Sequence, residues 1–193
     1  MATITGETAS QHHHISQKNT RKIAVAESTT NIVIKEEPIP RPTGSKILIK
    51  LEASGICATD LHLVRRSIPY LQPAVDICGH EGIGRIIEVG SDVDTQEWKV
   101  GARVSHRWIY DVCRDCEMCT GGNEQLCEKR KLSGKDVDGC WAGEFYIGRQ
   151  YYTSLQSFSI DYTLVDSKYL LGIPDDVNPA EAAPVLCAGK YKI

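Results

Sequence analysis

Along much of the chain, apolar and polar residues alternate in short stretches, the period expected of half-buried β-strands. KILIKLEA puts Ile47, Ile49 and Leu51 on one face and Lys46, Lys50 and Glu52 on the other, and NIVIK, from Asn31, alternates in the same way. The proline-rich PIPRPTG joins these two stretches, while GIGRIIEVG, VGARVS and DYTLVD add short strands punctuated by glycine. Helical signals are sparse. The clearest lies near the end, where Asn178 can cap a helix, Pro179 suits its first turn and Glu181 sits three residues after the cap. Pro184 lies deeper in that helix and should kink it, because proline has no N–H for the carbonyl one turn back; Cys187 follows the kink. The pattern predicts a mainly β fold with short helices, in the α+β class.

A chain of 193 residues, 41% of them hydrophobic, can bury the core of one domain. Its formal charge of −3, with acidic and basic residues interspersed, leaves no stripe that would neutralise phosphates, so a nucleic-acid partner is not expected. No apolar run approaches the roughly 20 residues that span a bilayer, and the opening MATITGETASQHHH lacks the layout of a signal peptide. Neither membrane nor secretion is expected, and the chain reads as cytoplasmic. Residues 1–25 read as a polar, disordered tail in which His12, His13 and His14 have no companion ligand. Eight cysteines in a reducing compartment then point to thiolates holding metal rather than to disulfides.

Cysteine spacing sharpens that expectation. Cys113, Cys116, Cys119 and Cys127 form C-x2-C-x2-C-x7-C, with Asp115, Gly121, Gly122 and Asn123 supplying turns between them. Four thiolates folded around a point make the closed tetrahedral site of structural zinc, which has no vacant position for water and so builds structure without catalysing. An iron–sulfur cluster also takes four thiolates, but the short bacterial run places its fourth cysteine much closer and follows it with proline. Four unrelated buried or redox cysteines would have no need of so tight a spacing. Cys78 and Cys140 fit no ligand pattern and read as small buried hydrophobes.

Two further segments carry metal-type residues: GICATDLH (55–62) contains Cys57 and His62, and GHEGIGRIIEVGSDV (79–93) contains adjacent His80 and Glu81. These segments, the four-cysteine stretch and the late PVLCAG around Cys187, in this order, closely resemble zinc-dependent alcohol dehydrogenases of the medium-chain dehydrogenase superfamily, especially the yeast-type enzymes of fungi. The resemblance runs from about residue 23 to Gly189. It implies an N-terminal GroES-like domain over 26–189, a partly open β-barrel with a zinc lobe at 110–130. It implies zinc as cofactor, two per chain, with a catalytic zinc on Cys57, His80 and Cys187 and a fourth position open for water or an alcohol. Thr59 and His62 match the family's proton relay, which runs through the cofactor ribose to a surface histidine. Asp60 matches the carboxylate that orients the zinc-bound imidazole, and Glu81 the glutamate beside the metal rather than a resident ligand. Trp108 stands at the place of a substrate-pocket tryptophan that favours short alcohols. Ile68 stands where yeast-type enzymes carry a second bulky aromatic, which weakens the case for strict ethanol preference. The implied reaction is oxidation of a primary or small alcohol to an aldehyde, with NAD as hydride acceptor.

The resemblance also implies a second, doubly wound domain after Cys187, whose G-x-G-x-x-G turn holds the cofactor pyrophosphate. The sequence has no such turn: GGNEQL falls in the zinc lobe and GIGRII in the histidine segment. The chain is therefore expected to be truncated before its nucleotide-binding domain, to contain no cofactor-binding residues and to be inactive alone; NAD and an oligomer are expected of a full-length form. The competing reading, from another class, is a non-enzymatic zinc-binding or protein-interaction module that uses the lobe alone, and a third is a domain served by a nucleotide-binding partner in trans.

Between Ala142 and Asp161, where the family runs from DGCWA almost directly into DYTLVDSKYL, stands an atypical insertion, GEFYIGRQYYTSLQSFSI (143–160), with both phenylalanines of the chain. Gly143-Glu144-Phe145 can be written GGT GAG TTT and Gly189-Lys190-Tyr191 GGT AAG TAT, each containing a splice donor, and Ile160-Asp161 can be written ATA GAT, containing an acceptor. Residues 143–160 and the aberrant end 190–193 thus read as translated intron. Sequencing the gene across these codons checks this: the donors and acceptor as written are expected, and codons unable to spell them remove the idea.

Overall fold

A computed structural model of the chain describes residues 19–141, the strand at 145–146 and residues 161–188. Its elements are β1 (Thr20–Ala26), β2 (Ile32–Pro38), β3 (Lys46–Gly55), α1 (Ala58–Arg65), β4 (Gly82–Val89), β5 (Arg103–His106), β6 (Ile109–Asp111), α2 (Glu117–Thr120), β7 (Lys131–Leu132), β8 (Phe145–Tyr146), β9 (Tyr162–Asp166), α3 (Pro179–Ala182) and α4 (Val185–Ala188). The fold is mainly β with a few short helices, none of the described ones long and apolar enough to cross a membrane.

The longest strand, β3, is the axis. Its alternation buries Ile47, Ile49, Leu51 and Ala53, and Leu48, which points to the opposite face, is buried as well. Burial of each large aliphatic side chain contributes about 1.5–3 kcal/mol relative to leaving it in water. One edge of β3 pairs antiparallel with β4, which pairs in turn with β5. The other edge pairs antiparallel with β9 over Lys46–Lys50 and parallel with β8 at Ser54 and Gly55. A hairpin of β1 and β2 and the small pair β6–β7 form separate sheets, so the described strands make open sheets rather than a closed barrel.

Strand structure begins earlier than the sequence pattern suggested. β1 takes up the last residues of the expected tail, with Ile23, Ala24 and Val25 buried. The polar flank hid it, since Arg21 reads as solvated but is buried; its guanidinium pairs with Glu37 and donates to the Tyr162 carbonyl at 2.8 Å. His12, His13 and His14, the end 190–193 and all of 143–160 except the β8 pair lie outside the described residues. Near the other end, Asn178 Oδ1 accepts the Ala180 N–H at 3.0 Å, and the helix breaks around Pro184 into α3 and α4.

One buried polar group had no sequence signal. His106, at the end of β5, is wholly removed from water, and neither ring nitrogen has a hydrogen-bond partner among the described residues. Burial, with the nearby His80, pushes its imidazole down to about 3, so it folds neutral. In the unfolded chain it takes up a proton near pH 6.5, so its contribution to stability is complete above that value and is lost as pH falls toward 3. His106→Leu should therefore flatten the loss of stability between pH 7 and pH 5, read as urea midpoints of variant and wild type; parallel slopes would show that His106 does not titrate on unfolding.

Candidate metal centres

The first centre is assembled where β3 ends. Cys57 follows β3 and caps α1, and Asp60, in the first turn of that helix, accepts the Cys57 N–H at 2.9 Å. The other Asp60 oxygen accepts the Gly79 N–H at 3.1 Å and bonds His80 Nδ1 at 3.0 Å. Asp60 and His80 are both completely buried. Gly79 has a positive φ of 97°, and a Cβ there would collide with the Trp141 ring, so this loop requires glycine. With Nδ1 held by Asp60, the imidazole presents Nε2 to the thiols, where it is buried with no hydrogen-bond partner among the described residues.

Cys187 arrives from α4, on the far side of the Pro184 break, and stands exposed at the rim with its Sγ 3.8 Å from Cys57 Sγ. One ligand atom each from Cys57, His80, Glu81 and Cys187 lies within 4.8 Å of all the others. The His80 imidazole holds the Cys57 thiol down to about 6 against the opposing effect of burial, with help from the Thr59 N–H and hydroxyl. Glu81 is the reverse case: burial, then the charge of Cys57, push its carboxyl up to about 7, and its Oε2 has no hydrogen-bond partner among the described residues.

The second centre is the lobe. Cys113, Cys116, Cys119 and Cys127 converge within the same 4.8 Å limit, with Sγ separations of 3.6 Å for Cys127–Cys113 and 3.8 Å for Cys113–Cys119. Helix α2 and a 3-10 turn at Glu124–Leu126 fold the loop back on itself. The Cys113 backbone N–H outweighs burial and holds the Cys127 thiol down to about 7. Tyr169, near β9, donates to Glu124 at 2.9 Å and so ties the lobe to the main body.

Both donor sets suit zinc: four thiols make a closed soft site, whereas two thiols, an imidazole with an orphaned buried Nε2 and the adjacent Glu81 carboxyl make a mixed one. Thr59 Oγ1 lies 3.6 Å from Cys57 Sγ, and the Trp108 ring stands edge-on to His80 with centroids 4.7 Å apart. His62 is exposed near the end of α1, where its Nδ1 lies 2.7 Å from Ser67 Oγ; among the described residues no hydrogen bond joins it to Thr59. Ile68 is half-buried in the loop after α1. Cys78 and Cys140 are buried, and burial raises both thiols to about 12. A cleft of about 490 Å³ beside α1 is lined by Val25, Lys35, Leu63, Arg66 and Asp76 among others, but by none of the four residues of the first centre. Sequence reasoning passed over Trp141 and Gly55, which pack beneath the site; the only cue to them was their place near Cys140 and Cys57.

Comparison with known proteins points the same way. An alcohol dehydrogenase from Moraxella sp. (strain TAE123) is 38% identical over 159 residues, covering 82% of this chain and 41% of that protein. Alcohol dehydrogenase 2 of Emericella nidulans is 32% identical over 164 residues, covering 83% and 40%. The chain therefore spans about two fifths of the curated relatives it matches. Among solved structures, one described as a zinc-binding dehydrogenase from Sinorhizobium meliloti 1021, bound to NADP, superposes with a TM-score of 0.68 at 29% identity, over 87% of this chain and 42% of that one. The model of the alcohol dehydrogenase GroES-like domain matches residues 43–175, and the chain belongs to that family.

Proposed function

We propose that this chain is the zinc-binding catalytic domain of an alcohol dehydrogenase-like oxidoreductase, which converts a primary or small alcohol to an aldehyde with a nicotinamide cofactor, NAD, as hydride acceptor. The observation that carries this reading is the convergence of Cys57, His80 and Cys187, from three distant parts of the chain, around a buried imidazole nitrogen with no partner. Bound there, zinc would supply the Lewis acidity that favours deprotonation of an alcohol. Asp60 fixes the tautomer and orientation of His80. In this reading the Thr59 hydroxyl, beside the cluster, would accept a proton from an alcohol oxygen as it gives up its own, and exposed His62 would release one to water. Trp108 walls the site against His80 and favours small substrates.

The four-cysteine lobe is a second, structural zinc site in this reading, and the yeast-type resemblance assigns the domain to the enzymes that carry such a lobe. Free thiols in both clusters suit a reducing compartment, and we assign the chain to the cytoplasm on that ground. Hydride transfer also needs a bound nicotinamide, and the sequence lacks the dinucleotide-binding glycine turn, so these 193 residues alone should give no NAD-dependent ethanol oxidation.

Zinc stoichiometry tests the reading. The purified chain should hold one zinc at each of its two ligand clusters, and Cys187→Ser should lower occupancy of the first while leaving the four-cysteine lobe filled. A single zinc in the wild type would favour a zinc-binding interaction module instead. Equal loss at both clusters in Cys187→Ser would contradict their independence.

A further inference from the structure

We infer that Gly55 is a positioning residue for the proposed catalytic zinc site: its lack of a side chain lets Glu81 and the Pro184 helix break close on each other, and this sets where Cys187 stands. The inference rests on the functional reading above. Gly55 ends β3, two residues before Cys57, and its N–H donates to the Glu81 carbonyl at 2.8 Å. A Cβ at this position would collide with Glu81 Oε2 and stand 3.0 Å from Glu81 Cβ and 3.1 Å from Pro184 Cα. The segments that bear Cys57, His80–Glu81 and Cys187 thus meet at a single glycine.

The three contacts differ in kind. The Glu81 carboxylate is the end of a flexible side chain and can swing aside. Glu81 Cβ is fixed to its backbone and Pro184 Cα is backbone, so a methyl group at residue 55 must move the Glu81 segment, the chain between α3 and α4, or both, by a few tenths of an ångström. That chain has little freedom to absorb the shift elsewhere, because Ala183 and Leu186 are buried against Ala53 of β3 and Ile83 of β4. The displacement therefore passes to Cys187, three residues on, whose Sγ stands 3.8 Å from Cys57 Sγ. Zinc tolerates ligand distances only within about 0.2 Å of their ideal values, so a shift of this size matters at the metal.

The test is zinc titration of the whole chain against a competing chromophoric chelator, with the four-cysteine lobe as an internal control of folding. Gly55→Ala should bind zinc at the lobe as the wild type does and at the Cys57–His80–Cys187 site about tenfold or more weakly. Unchanged affinity at that site would overturn the inference. If Gly55→Ala also weakens the lobe, the ratio of the two affinities decides: a greater loss at the Cys57–His80–Cys187 site than at the lobe supports the inference, and equal loss at both overturns it. A wild-type chain that takes zinc only at the lobe would overturn the functional reading itself, which is a different outcome from a two-zinc wild type with an indifferent Gly55→Ala.

Discussion

The carboxylate of Asp60 is entirely removed from water, and the first metal centre depends on how that charge is satisfied. Stranding such a charge would cost several kcal/mol, so its partners are required by the fold. They are the Cys57 N–H, the Gly79 N–H and His80 Nδ1, and each belongs to a segment that bears a candidate ligand. One buried acid therefore fixes the start of α1, the loop before β4 and the direction of the imidazole. The same bonds leave His80 Nε2 facing the thiols with no partner among the described residues, which is the arrangement a metal completes.

The two centres solve different problems. The lobe closes on itself within a short run of chain, so four thiols can fill a metal's coordination with local turns alone. The first centre draws on residues as far apart as Cys57 and Cys187 and can exist only after β3, β4 and the late helices have packed. It also places a carboxyl that burial raises to about 7 beside a thiol that an imidazole lowers to about 6. Shifted titration in adjacent groups clusters at sites that handle protons or metal, and the lobe shows it too, with Cys127 lowered to about 7 and Cys119 raised to about 12.

Much of this was legible beforehand. The alternation in KILIKLEA marked β3, the Asn178–Pro179 start and the Pro184 break marked α3 and α4, and the cysteine spacing marked the lobe. All of these are local signals, written within one turn or one strand. Where sequence reasoning fell short, the cause was tertiary. β1 was lost in the expected tail because Arg21 is buried by a long-range ion pair, and His106 drew no notice because nothing in VGARVSH distinguishes a buried histidine from an exposed one.

The sequence by itself determined which side chains could hold metal and the order in which they occur, because ligand chemistry belongs to residue type and lobe spacing to a short stretch of chain. The tertiary structure decided that Cys57, His80, Glu81 and Cys187 meet, that Asp60 sits behind His80, and that His62 points away toward Ser67. The physical reason is range. Periodicity and capping act within a few residues, whereas the burial of a charge and the close approach of backbones at Gly55 and Pro184 arise only when distant segments exclude water together.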